Sequence, residues 1–293
     1  MEKLVYTNEK GESLELGTGF LFHCNISKDV SGMSDVRNTV YRSNSMGQHG
    51  DTYVGQRIEP KEITATGLIR EKDKYLAADA RRNAVKILNP DLHGELRYIL
   101  DDFERVISCR VEGSPEFFKK KVLYGYEFNF LCLDPFWRKP EETKKDIAGW
   151  FGGLEFPVSI ERDDPDDMMF ASRSESIIVD CYNEGDVSTG MRIRFTAIGT
   201  VNKPVLLNID TQEFIKVNTT MLPGDVIEIN TEYGSKGAVM IRADTESNYF
   251  RHIDVDSTFM QLSIGDNTFR YDAESGVDQL EVSIFYSAKY LGV

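Results

Sequence analysis

The chain of 293 residues has no long hydrophobic run; its unbroken apolar stretches are a handful of residues, which excludes a membrane-spanning helix. Prolines are few, 9 in all, and with 41% apolar and 28% charged residues the composition is that of a folded chain rather than a disordered one. Cysteine is scarce and scattered, at Cys24, Cys109, Cys132 and Cys181, with no Cys-x-x-Cys and no histidine at ligand spacing. A disulfide framework and a structural zinc are therefore not expected, and buried free thiols in a reducing compartment are. The four histidines, His23, His49, His93 and His252, form no His-Glu-x-x-His. Also missing are a Gly-x-Ser-x-Gly elbow, a phosphate loop and a Gly-x-Gly-x-x-Gly. Carboxylates are plentiful enough for a glycosidase pair, but acid pairs in turn-rich acidic chains are usually solvated loops. The reading is a protein that is not an enzyme, with no catalytic residue, no metal and no cofactor assigned. The opening residues, Met1-Glu2-Lys3-Leu4-Val5-Tyr6-Thr7-Asn8, turn polar at once and predict no secretory leader.

What is present is charge, and it is unevenly spread. The net charge is −14, yet residues 1–140 carry 21 basic and 21 acidic side chains while 141–293 carry 13 and 27. Two domains with different surfaces are the simplest account. An acidic half argues against nucleic acid as a ligand, because phosphate binding needs a basic surface. The plainer role of such acidity is to keep a β-rich domain soluble.

Strand patterns dominate. Tyr126-Glu127-Phe128-Asn129-Phe130 puts three aromatics on one face with period two. Phe195-Thr196-Ala197-Ile198-Gly199, Pro204-Val205-Leu206-Leu207-Asn208, Val226-Ile227-Glu228-Ile229-Asn230 and Leu280-Glu281-Val282-Ser283-Ile284-Phe285 read likewise, separated by turns such as Pro223-Gly224-Asp225, Gly265-Asp266-Asn267 and Ser275-Gly276. From about residue 150 onward the spacing is that of a sandwich or barrel. One helix is expected, roughly 73–88, from the stripe Leu76, Ala80, Ala84, Ile87 and Leu88, stopped by Asn89-Pro90. Its apolar stripe reads as a core face, with partner docking as the alternative. Residues 95–100 and 104–111 flank Asp101-Asp102 as a hairpin. The domains are read as 1–140 and 150–293, with 141–149 as linker.

A second hairpin spans the polar, glycine-bearing stretch 35–58, with Val40-Tyr41-Arg42-Ser43 and Asp51-Thr52-Tyr53-Val54 around Ser45-Met46-Gly47-Gln48-His49-Gly50. It reads either as an arm between copies of the chain or as an ordinary hairpin within its domain. The arm reading selects Arg37, Tyr41, Arg42, Tyr53 and Arg57 as interface residues. The run Asp163-Asp164-Pro165-Asp166-Asp167 reads as an exposed loop, since it lacks the glycine and distal Glu of a calcium loop. Trp150, between glycines, is a candidate sugar-stacking aromatic, or else an aromatic buried where the second domain begins.

Taken in order, the motifs resemble a siphophage distal tail protein (Dit). They are Val30-Ser31-Gly32-Met33, Gln48-His49-Gly50-Asp51, Arg81-Arg82-Asn83, Leu88-Asn89-Pro90 and Leu133-Asp134-Pro135-Phe136-Trp137 in the first half. The second half has Asn183-Glu184-Gly185-Asp186, Ile198-Gly199-Thr200-Val201-Asn202-Lys203-Pro204, Leu222-Pro223-Gly224-Asp225, Ile264-Gly265-Asp266-Asn267 and Tyr290-Leu291-Gly292-Val293. The resemblance implies a mainly β protein: a tail-tube-like N-terminal domain with one α-helix, and a galectin-like or carbohydrate-module-like C-terminal β-sandwich. It also implies a homo-hexameric ring, single or as two stacked rings, joining the tail tube protein to the tail-associated hub and carrying receptor-binding (adsorption) proteins. DNA would pass through its channel without specific binding, and no membrane is involved. The place implied is the tip of a virion tail, made in the host cytoplasm; a prophage or tail-like bacteriocin fits equally. The alternative is a carbohydrate-binding tail module that touches the host wall through the sandwich, although the chain is too short for the extra sugar-binding insertions of enlarged relatives.

Overall fold

The computed structural model describes residues 2–120, 123–147 and 177–293, with the backbone alone of 150–152 and 171–173. The acidic run at 163–167 and Lys121 lie outside the described residues. The fold is mainly β, and the chain divides into two compact units, Met1–Pro140 with Lys289–Val293, and Glu141–Ala288.

In the first unit, strand Leu123–Cys132 carries the aromatic alternation, and Tyr126, Phe128 and Phe130 are all buried. It pairs with Lys61–Ile69 on one side. On the other it meets Phe103–Val111 through Phe130↔Val111 and Leu131↔Arg110. That second pairing closes the sheet. Among the described residues, Glu2–Asn8, Ser13–Gly17, Phe22–His23, Lys61–Ile69, Leu123–Cys132, Phe103–Val111 and His93–Leu100 run in hydrogen-bonded order back to Glu2–Asn8. Closure removes the strand edges that an open sheet would expose. Leu4, Tyr6, Leu16, Phe22, Ile63, Leu96 and Ile107 join the three aromatics in one buried cluster. Two glycines make room for its tyrosines: a Cβ at Gly67 would lie 2.5 Å from the Tyr126 hydroxyl, and one at Gly94 2.3 Å from the Tyr6 ring.

Helix Lys74–Ile87 starts where Asp73 accepts hydrogen bonds from the Tyr75 and Leu76 amides. It stops just before Asn89-Pro90, as the sequence predicts. Its contact face follows the predicted stripe except at Leu76, with Ala80 and Ile87 partly buried against the core. Ala77, Ala84 and Leu88 are buried, whereas Leu76 is 57% exposed. Ala77 is buried in place of Leu76, which lies 100° away from it around the axis. The Asn8 side chain, donating to Ile87 O at 3.2 Å, and the Lys86–Glu12 ion pair fasten the last turn.

The second unit holds two sheets around one core. In the six-stranded sheet the order is Thr143–Asp146, Leu280–Tyr286, Met191–Ala197, Val226–Asn230, Gly237–Arg242 and Thr245–Asn248. In the other the order is Ile178–Asn183, Gly265–Ser275, Val201–Asn208 and Phe214–Lys216, with Thr220–Met221 also on Val201–Asn208. Strict alternation buries Met191, Ile193, Phe195 and Ala197 on one strand and Leu280, Val282, Ile284 and Tyr286 on the next. The glycine motifs are the turn hardware of this sandwich. Buried Asn183 donates to Val187 O and Leu262 O, and buried Asn267 donates to Ser263 O. Their carboxamides satisfy the backbone groups of loops that no strand can pair.

Two boundaries differ from the sequence reading. Residues 143–146, expected in a linker, pair along Leu280–Tyr286 as a strand of the second unit. Residues 289–293, expected in the sandwich, return to the first unit, where Lys289–Tyr290 pairs with Trp137–Arg138.

Candidate assembly surface

The stretch 35–58 forms a ribbon of Asn38–Ser43 and Thr52–Ile58. Among the described residues these two strands pair only with each other. Arg42 stands opposite Tyr53, Tyr41 opposite Gly55 and Thr39 opposite Arg57, with a register shift after Tyr41. The ribbon thus brings the five predicted interface residues onto one element and its root. Every residue from 34 to 54 is exposed, including Val40, Tyr41, Tyr53 and Val54, while Met46 at the tip is fully open to solvent. Its arginines are partly neutralised nearby, Arg37 by Glu62 at 3.0 Å and Arg42 by Asp51 at 3.1 Å, with Arg57 3.9 Å from Glu59. Such exposed pairs hold shape weakly, at about 0–1 kcal/mol each. An isolated two-stranded ribbon is marginal in water. Five large apolar side chains with nothing over them are a surface waiting for cover.

The root of the ribbon is built differently. Met33 O accepts from the Trp137 indole at 2.8 Å and from Lys61 Nζ at 3.0 Å. Lys61 Nζ also donates to Leu291 O at 2.7 Å, and Ser34 Oγ donates to Val293 O at 2.9 Å. Lys61 is only 4% exposed, and burial pushes its ammonium below the usual lysine value. Gly32 has φ +86°, and a Cβ there would overlap Glu62 O, so only glycine fits. The guanidinium of Arg105 lies 4.4 Å from the centre of the Phe103 ring and 4.1 Å from that of Tyr290, which fixes the returning strand. A rigid root therefore carries a bare ribbon. Sequence reasoning missed this clasp, although the period-two pattern Lys61, Ile63, Ala65 puts Lys61 on the buried face.

The other candidates are quickly placed. Trp150 lies in a short ribbon, Trp150–Gly152 with Ala171–Arg173, and its side chain is outside the described residues. Lys119 and Lys120 are exposed on strand Glu116–Lys120. All four cysteines are free and buried. Burial raises the Cys24 thiol and lifts that of Cys181 to about 12, while Cys109 is raised first by its contact with the Cys132 thiol and then by burial. Among the described residues no three His, Cys, Asp or Glu side chains gather to hold a metal, and no helix is long and apolar enough to cross a membrane.

The chain is similar to known tail proteins over nearly its whole length. Residues 9–177 match the phage tail protein RIFT-related domain, and residues 184–290 match the siphovirus-type tail component, C-terminal domain. No curated protein sequence matches it significantly. Among solved structures it is similar to SPP1 Dit (gp 19.1), described as a paradigm of hub adsorption apparatus in phages infecting Gram-positive bacteria. That match has 14% identity and a TM-score of 0.65, with 98% of each chain covered. It is also similar to chains of the phage P2 baseplate in its activated conformation. One, with Ca, has 12% identity, a TM-score of 0.52 and covers 100% of this chain and 99% of the other; one, with Sr, has 12% identity, a TM-score of 0.53 and covers 100% of both. These relatives are structural components of phage tails and baseplates, and the barrel, the sandwich and the family matches agree: the chain belongs to the siphovirus distal tail (Dit) family of phage tail components.

Proposed function

We propose that the chain forms a hexameric ring at the tip of a virion tail, joining the tail tube above to the tail-associated hub below. The ribbon of Asn38–Ser43 and Thr52–Ile58 reaches a neighbouring copy, which covers Tyr41, Tyr53, Val40 and Val54. The exposure of these apolar side chains on a rigid root is the observation that carries this reading. A closed ring needs a head-to-tail contact repeated by rotation, and a ribbon projecting from one copy to the next supplies one. The charge split supports the arrangement. A first unit of balanced charge can line a channel without gripping phosphate, while the acidic second unit faces solvent and carries adsorption proteins. Light scattering after size exclusion, with negative-stain images of the peak, tests the proposal: a mass of six or twelve chains with a central hole is expected. A channel wall lined by Arg and Lys, with Lys119 and Lys120 among them, would overturn the charge argument.

A further inference from the structure

We infer that the open edge of strand Thr245–Asn248, with the aromatic patch beside it, docks an extended acidic-apolar segment of a peripheral tail protein by adding it as a further strand. The inference rests on the ring reading and names the surface through which the second unit carries its partner. Thr245–Asn248 is the last strand of the six-stranded sheet, and all four of its residues are exposed. Tyr249 N donates to Ala238 O, and the register pairs Met240 with Ser247 and Arg242 with Thr245. Antiparallel pairs alternate between hydrogen-bonded and open, so Glu246 and Asn248 turn their N–H and C=O groups away from the sheet. Among the described residues no partner meets these groups. Two donors and two acceptors, two residues apart on an extended backbone, are the complement of another strand. A sugar ring does not carry that spacing. The edge has no proline, no bulge and no lysine, and Glu246 is its one charge.

Side-chain recognition lies next to it. Lys236 Nζ sits 4.8 Å from the Tyr233 ring centre and 5.4 Å from that of Phe259, and Phe259 stacks on Phe250 at 5.6 Å. Among the described residues Lys236 faces no carboxylate within ion-pair distance. A cation framed by rings, in a unit that is otherwise strongly acidic, selects a carboxylate flanked by apolar side chains. A groove of about 360 Å³, lined by Lys236, Val239, Glu246, Asn248 and Phe250, joins the patch to the edge.

The test uses isolated chain and assembled tail tips. Amide hydrogen exchange at Glu246 and Asn248 should be fast in the isolated chain and about a hundredfold slower in tips. Glu246→Pro removes an outward N–H that the sheet does not use, and Lys236→Glu reverses the cation. Both variants should form rings with unchanged melting and retain about tenfold less peripheral protein. Rings whose Glu246 and Asn248 amides exchange as fast in tips as in isolated chain would overturn the docking strand alone. Amide protection that rises with the concentration of isolated chain would make the occupant a second copy, and shifts at Tyr233 on adding soluble cell-wall saccharide without amide protection would make it a glycan; either result overturns the proposal. Tips with no ring of this chain would overturn the ring reading and this surface together.

Discussion

The hairpin of His93–Leu100 and Phe103–Val111 and the ribbon of Asn38–Ser43 and Thr52–Ile58 are both two-stranded elements of the first unit. In the first hairpin Leu96, Ile107, Cys109 and Val111 are buried, and each of its strands finds a second partner in the barrel. In the ribbon nothing is buried and neither strand has a second partner among the described residues. The first hairpin is held by what it covers within the chain. The ribbon offers the same kind of side chains with no cover from the described residues of its own chain. Strand propensity makes a hairpin in both places; the destination of the apolar face decides whether it stabilises the fold or the assembly.

The largest break in that comparison comes from emptying the barrel side. Phe130→Ala should destabilise the first unit by about 3–5 kcal/mol in chemical denaturation, because a fully buried ring leaves a cavity. Tyr53→Ser on the ribbon should change stability by about 0.5 kcal/mol or less and act on assembly instead. Next in size is the root that separates the two regions. Lys61→Met takes the Lys61 hydrogen bond from Leu291 O and leaves Met33 O with the Trp137 indole alone, at a cost of about 1–3 kcal/mol, and should open residues 289–293 to limited proteolysis.

In the second unit, Asp225 is buried, ion-paired with Arg242 and bonded to the Leu222 amide, which together hold its carboxyl below the usual range. A carboxyl with a lowered folded value contributes its full stability above the unfolded value near about 3.9 and loses it as pH falls through the folded one. The acid limb of the stability profile should therefore flatten in Arg242→Ala. A small gain is expected at the turn of Ala243 and Asp244, with φ of +46° and +59°. Both residues sit where glycine or asparagine is favoured, so Ala243→Asn with Asp244→Gly should raise stability by about 1 kcal/mol.

The sequence makes much of this legible. Asp73 and Pro90 bracket the helix because capping and proline act locally, and the sandwich strands announce themselves by alternation. Leu76 misled because hydrophobicity alone put it in the stripe, whereas its small neighbour Ala77 is the residue that is buried. The return of residues 289–293 has no periodic signature, since a strand of two residues is defined by its partner at Trp137–Arg138. Of the candidate surface, the hairpin was readable from its glycines and β-branched residues. That it stands free was not, because period two says which side chains share a face and never what covers that face.

The account turns on the ribbon between 38 and 58. Replacing residues 38–58 with a short Gly-Ser bridge, and separately making Tyr41→Asp with Tyr53→Asp, leaves the barrel core untouched. Light scattering of the three proteins at matched concentration should give a mass of six or twelve chains for the wild type and one chain for both variants, with equal melting curves. Rings that survive removal of the ribbon, or a wild-type chain that stays single at every concentration, would contradict it.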